Sequence, residues 1–281
     1  MMRMFRLSWS LVMAGMVLMT CPSWVLADEI FPDEHLRDVI KAILKQKQID
    51  KPEIAEEDLK TIFFLKAEGK EIQDLAGLEK CTNLAQVELS GNKIENLQPL
   101  ANLKNIQFLD IAENRVHDLA PVSTLVKLQY LQLENNFIES LAGLETLENL
   151  RSLYLSGNKI SDLQPLSQLG KLRSLYLDDN KVRDLSPLSE LKWLSTIGLR
   201  ANAVTDLSPL KNLTELRFTF LEGNPLTDLG PLVQMAIADV EGEQRFAPYW
   251  NLYLDVDSLS DSAKQQVEEL KELGVRINRK D

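Results

Sequence analysis

Two cysteines and two histidines are all that this chain of 281 residues carries, and that scarcity excludes chemistry before any motif is sought. Cys21 lies in an N-terminal segment that reads as removable, which leaves Cys81 alone and no intramolecular disulfide to form. With His35 and His117 as the only imidazoles, most metal-ligand sets and most His-dependent nucleophilic sites lose their usual members. Carboxylates alone could hold calcium, but no Asp-x-Asp-x-Asp-Gly loop is present. A phosphate-binding glycine loop is missing too, and the carboxylates are spread rather than paired. The expectation is a chain that is not an enzyme and needs no cofactor or metal.

Basic residues are also in short supply, with 31 Lys and Arg against 42 Asp and Glu. Met1 to Arg6 holds two of the arginines and no acid, and the run from Leu7 to Thr20 is largely apolar. Val25 and Ala27 then stand at the two positions a signal peptidase reads, so residues 1–27 are expected to be a signal peptide cleaved after Ala27. Pro22 and Ser23 cut the apolar run short of the roughly 20 residues an uncleaved anchor needs. Leu18-Met19-Thr20-Cys21 leaves a lipidated Cys21 as an alternative, although Met and Thr fit poorly where small residues are usual. Cleavage would leave 29 basic and 42 acidic residues, a formal charge of −13. That balance disfavours nucleic acid and anionic membrane as partners. A secreted or periplasmic protein, not inserted in a membrane after cleavage, is expected; no sorting motif or apolar tail stands before Asp281.

What the sequence has in abundance is register. Asn92, Asn114, Asn136, Asn158, Asn180, Asn202 and Asn224 follow one another at one constant interval. Apolar residues stand eight before, three before and two after each Asn, and Leu stands five after every one. Pro occupies the seventh position after it, except where Gly143 replaces it. Alternation such as Leu175-Tyr176-Leu177 predicts a short strand with leucines inward. The Asn side chain then bonds exposed backbone at the turn, and Asp184-Leu185-Ser186-Pro187-Leu188 suits a tight helical turn on the back. One unit buries nothing alone, whereas stacked units share a leucine core.

This pattern matches the template L-x-x-L-x-L-x-x-N-x-L. Over roughly Ile30 to Met235 the chain resembles the 22-residue class of leucine-rich repeats found in bacterial internalins and in a eukaryotic phosphatase regulatory subunit. The resemblance implies an α/β solenoid: a horseshoe with a parallel β-sheet on its concave face, a helical N-terminal cap and a helix-containing C-terminal cap. Phe31-Pro32-Asp33 with Leu36, and Leu75-Ala76-Gly77-Leu78-Glu79, look like the cap and first repeat of internalin-type proteins.

The expected organisation places the helical cap at 28–60, with Asp33 as N-cap of a helix carrying Leu36, Val39, Ile40, Ile43 and Leu44, and a second short helix over Glu56 to Leu65. One degenerate repeat, with Lys70 in the Asn position, and seven full units fill 61–235, and a C-terminal cap fills 236–281. There Leu252-Tyr253-Leu254 repeats the strand and Asp257 takes the Asn position, farther beyond Asn224 than one repeat reaches. An 11-residue insertion within Ala236 to Phe246 accounts for the offset. A helix over Ser262 to Leu273, stopped by Gly274, and a final strand over Val275 to Ile277 are predicted.

Residues six, four and two before each Asn should pave the concave face. Partner-binding candidates are Phe108, Asp110, Tyr130, Gln132, Glu134, Tyr154, Tyr176, Asp178, Gly198, Arg200, Phe218, Phe220 and Glu222. Aromatic rings on neighbouring rungs, about 4.8 Å apart, either offer contact area to a protein or peptide partner or merely stiffen the sheet. Gly198 suggests a notch beside Arg200 that could admit one side chain or a sugar ring. Thr219, polar at an inward position, puts the register of Phe218 and Phe220 in question. Cys81 reads as packed, His117 as solvated, and Trp193 as an edge-packed ring or a lateral contact. The favoured function is a non-enzymatic extracytoplasmic binding module; the alternative is a structural or assembly spacer with contacts through its edges and caps.

Overall fold

A computed structural model describes residues 25–26, 30–51, 53–242 and 244–279. The expected processing site after Ala27, like the lipidation alternative at Cys21, lies outside the described residues. The backbone of Val25–Leu26 (β1) pairs antiparallel with Glu53–Ile54 (β2).

Asp33 caps helix α1, Glu34–Gln46, its carboxylate accepting from the Leu36 N–H at 3.0 Å. Its second oxygen accepts from the Gln73 and Asp74 N–H groups at 2.8 and 3.1 Å, so one side chain ties the cap to the first coil. These backbone donors hold the Asp33 carboxyl below its ordinary range although burial pushes the other way. The second helix is shorter than the sequence suggests: α2 covers only Glu56–Leu59. Ile62 and Leu65 then turn inward while Phe63 and Phe64 stay exposed, and Phe64–Lys66 becomes strand β3, paired parallel with Gln86–Glu88 (β4). The alternation around Leu65 outweighs the helical reading because the neighbouring strand offers a ladder to join.

From β3 onward one open sheet of ten strands runs in chain order. After β4 come Phe108–Asp110 (β5), Tyr130–Gln132 (β6), Ser152–Tyr154 (β7), Ser174–Tyr176 (β8), Thr196–Gly198 (β9) and Phe218–Phe220 (β10). Asn251–Tyr253 (β11) and Arg276–Ile277 (β12) complete it. All pairings in it are parallel and each full repeat stays in register, Leu109 opposite Leu131, Leu153 opposite Leu175. Short 3-10 turns with Pro at their start, such as Gln98–Leu100 and Ser186–Leu188, return the chain on the back. The inward leucines of every coil are buried and form one continuous core, each fully buried side chain contributing about 1.5–3 kcal/mol.

The asparagines link coil to coil. Asn136 accepts from the Val116 N–H at 2.9 Å and donates to the Ile111 and Leu133 carbonyls at 2.9 and 3.1 Å. The same bonds recur at Asn114 and Asn158, and they continue through Asn180, Asn202 and Asn224. Asn92 opens the series, accepting from Lys70 and Ile72 backbone N–H groups and donating to the Ala67 carbonyl. The residue before each Asn is in the left-handed region: Gly91, Gly157 and Gly223, but also Glu113, Asn135, Asp179 and Ala201.

The C-terminal cap departs from expectation in three places. The insertion is a helix, α3, that starts at Gly230 and ends at Glu241, so the back turn lengthens from its Pro position rather than after Met235. Leu232, Val233, Met235 and Ala236 pack it onto the last coil, and Asp239 closes it by accepting from the N–H groups of Arg245, Phe246 and Ala247. Asp257 does not take over the ladder, because a carboxylate lacks the N–H groups that bond the carbonyls; it sits in a 3-10 turn, Val256–Ser258. Asn278 instead brackets Leu254, donating to its carbonyl at 2.8 Å and accepting from its N–H at 2.9 Å. Helix α4, Asp261–Glu272, is capped by Ser260, and Gly274 follows it at φ +91.

Candidate binding face

Side chains of the first and second outward columns meet as a ladder of rings. Phe108 and Tyr130 stack with centroids 4.5 Å apart and planes at 7°. Tyr130 tilts across to Tyr154 at 5.1 Å, and Tyr154 stacks on Tyr176 at 4.9 Å. The ladder therefore crosses from one column to the next between Tyr130 and Tyr154, which column-by-column reading did not anticipate. Beyond Gly198 it resumes with Phe220 stacked on Tyr253 at 4.7 Å.

Thr219 does not disturb the register. It is fully buried, its hydroxyl accepting from the Trp250 indole N–H at 2.9 Å, and Phe218 and Phe220 both face outward. The notch expected at Gly198 is filled. A Cβ there would lie 2.8 Å from Asp178 Oδ1 and 2.9 Å from Tyr176 Cδ1, so the missing side chain makes room for these neighbours. Arg200 bridges the gap: its guanidinium lies 4.0 Å over the Phe220 ring, and it pairs with Asp178 at 3.5 Å and Glu222 at 3.1 Å.

Burial shapes the charges. It pushes the Asp178 carboxyl above its ordinary range against the pull of Arg200. Glu134 is likewise raised by burial, with Asp110 adding repulsion, and its Oε2 is buried without a hydrogen-bond partner. The Tyr130 and Tyr176 phenols are raised for the same first reason. A shallow depression of about 620 Å³ collects Asp110, Gln132, Glu134, Tyr154, Tyr176 and Asp178. Glu113 and Asp179 also line it, and no basic side chain does. Those two acids were missed because they stand next to the ladder Asn; their positive φ, shared with glycines at the same place in other coils, turns them toward this face. The other singled-out residues are separate from it: Cys81 is buried, its thiol pushed up to about 12 by burial, His117 is exposed, and Trp193 is 60% exposed at the edge.

A family model described as leucine-rich repeats in two copies matches residues 104–146 and 148–190. Internalin C2 of Listeria monocytogenes is 31% identical, with 75% of this chain and 93% of that one covered at a TM-score of 0.72. The chain belongs to the internalin-like leucine-rich-repeat proteins. A second Listeria monocytogenes internalin, InlF, is 28% identical over 94% of this chain and 75% of its own, with a TM-score of 0.77. A leucine-rich-repeat protein of Leptospira interrogans shares the fold at 21% identity and a TM-score of 0.65, with 80% of this chain and 62% of that one covered. No curated protein matches the chain. Internalin-like proteins are generally binding scaffolds rather than enzymes, and leucine-rich repeats typically bind proteins. Among the described residues of this internalin-like chain, no helix is long and apolar enough to cross a membrane.

Proposed function

We propose that this internalin-like protein is a non-enzymatic, extracytoplasmic binding module that holds a protein or peptide against the concave sheet from Phe108 to Phe220. The observation that carries the reading is the ladder of half-buried rings running beside a depression that has carboxylates and no cation. Aromatic side chains give large contact area at small entropic cost, and the carboxylates favour a segment with Lys or Arg. Signal-like residues 1–27 and the Listeria relatives support residence outside the cytoplasm.

Stacking also stiffens the sheet, which is all a spacer would need. Capture of partners from the extracytoplasmic fraction by the mature chain separates the two roles when repeated with a Tyr154→Ala/Tyr176→Ala variant whose circular dichroism is unchanged. Loss of a captured protein by tenfold or more is expected; equal capture would transfer the contacts to edges or caps and refute the concave site.

A further inference from the structure

The lateral edge where the strands begin has a different character from the concave face. Arg151, Lys171, Arg173 and Trp193 together line a depression of about 250 Å³, with no acidic residue among them. All four are exposed, and Trp193 shows 60% of its surface. The Lys171 ammonium donates to Asn149 Oδ1 at 2.7 Å. Among the described residues, neither the Arg151 nor the Arg173 guanidinium is paired with a carboxylate, although the chain carries a net charge of −11.

The repeat explains how they meet. Arg151 and Arg173 hold the same position in adjacent coils, as do Lys171 and Trp193, and β7 to β9 stay in register. Adjacent rungs lie about 4.8 Å apart, so three cations and one indole fall within three coils. At the Trp193 position the other coils carry Asn83, Asn105, Lys127, Asn149, Lys171 and Glu215. A large ring that is 60% exposed in an otherwise polar column is out of keeping with a solvated edge.

We propose that this edge is a second binding site, for an anionic sugar. The three cations would hold its carboxylate, sulfate or phosphate group, arginine forks suiting such planar or multidentate acceptors. Trp193 would stack on the apolar C–H face of the same ring. Cations alone would serve a simple anion, and an acidic peptide has no need of an indole beside its carboxylates. A sugar ring bearing charge presents both surfaces at once. The site is separate from the concave face, so it stands or falls independently of the proposed function.

Titration calorimetry at low salt, with the full mature chain, tests it. Probes are a sulfated heparin hexasaccharide, an oligogalacturonate, a neutral cello-oligosaccharide and an oligoglutamate. At least one anionic oligosaccharide should bind with salt-dependent affinity and the neutral one should not. Trp193→Ala and Arg151→Glu/Arg173→Glu should each weaken that binding tenfold or more, while Tyr154→Ala/Tyr176→Ala leaves it unchanged. These residues are exposed and outside the core, so circular dichroism of the variants should match the parent. Failure of both anionic oligosaccharides to bind overturns the proposal. So does a Trp193→Ala variant that binds them undiminished, or oligoglutamate binding as tightly as the sugars.

Discussion

Replacing Asn136 by Ala and by Asp tests the coil-to-coil linkage, because the two changes remove different halves of it. The side chain is buried, accepts from the Val116 N–H at 2.9 Å and donates to the carbonyls of Ile111, Leu133 and Glu134. All three carbonyls keep another donor: Ile111 receives the Asn114 amide at 3.2 Å, Leu133 the Asn158 amide at 2.9 Å, and Glu134 the Glu113 N–H at 2.7 Å. Alanine therefore orphans one buried N–H, at about 1–3 kcal/mol, and removes bonds from carbonyls that keep another donor, at about 1 kcal/mol each. With the two amide hydrogens counted once each, the expected loss is about 3–5 kcal/mol. Aspartate retains the acceptor for Val116 but aims its second oxygen at three carbonyls. Its folded pKa must then rise above the ordinary value of about 3.9, so its penalty is complete above the folded pKa and shrinks as pH falls through it. Urea denaturation followed by circular dichroism at pH 7 and pH 4 should show the aspartate variant no more stable than the alanine variant at pH 7, and recovering relative to it at pH 4. An aspartate variant as stable as the parent at pH 7, or a gap between the variants that ignores pH, would refute the reasoning.

Glu134→Gln should stabilise the protein by about 1 kcal/mol at pH 7, because it removes a negative charge that burial and Asp110 both disfavour. The folded carboxyl is raised above its unfolded value, so its penalty is absent below the unfolded pKa of about 4.3; thermal melts should show the benefit vanishing there. Gly198→Ala should cost about 1–3 kcal/mol in urea denaturation, since the new methyl meets Asp178 and Tyr176 at 2.8 and 2.9 Å.

The solenoid was legible because each coil obeys the same spacing, and a spacing error in one would have stood out against the others. Strand, turn and ladder positions from Asn92 to Asn224 lie where that spacing puts them. Legibility failed where a residue's role depends on its neighbour's side chain. Gly198 reads as empty space in its own column, yet Asp178 and Tyr176 from the preceding coil lean into it. Thr219 reads as a polar defect until Trp250, far along the chain, supplies its donor. Asp257 has the right register and the wrong chemistry, so position alone misassigned it. The 60% exposure of Trp193 could not be read from its sequence position, which is polar in the neighbouring coils.

The ladder also has a direction. Every Asn reaches back to the coil before it, Asn114 to Leu89 and Ile94, Asn136 to Ile111 and Val116. A chain delivered N-terminus first, as in synthesis, thus has each coil clasped only when the next repeat has emerged. Closure advances like a ratchet from the Asp33-tied helical cap, always one coil behind the exit. Only beyond the last full repeat does the clasp change hands, to Asn278, which fastens a stack that has already formed before it.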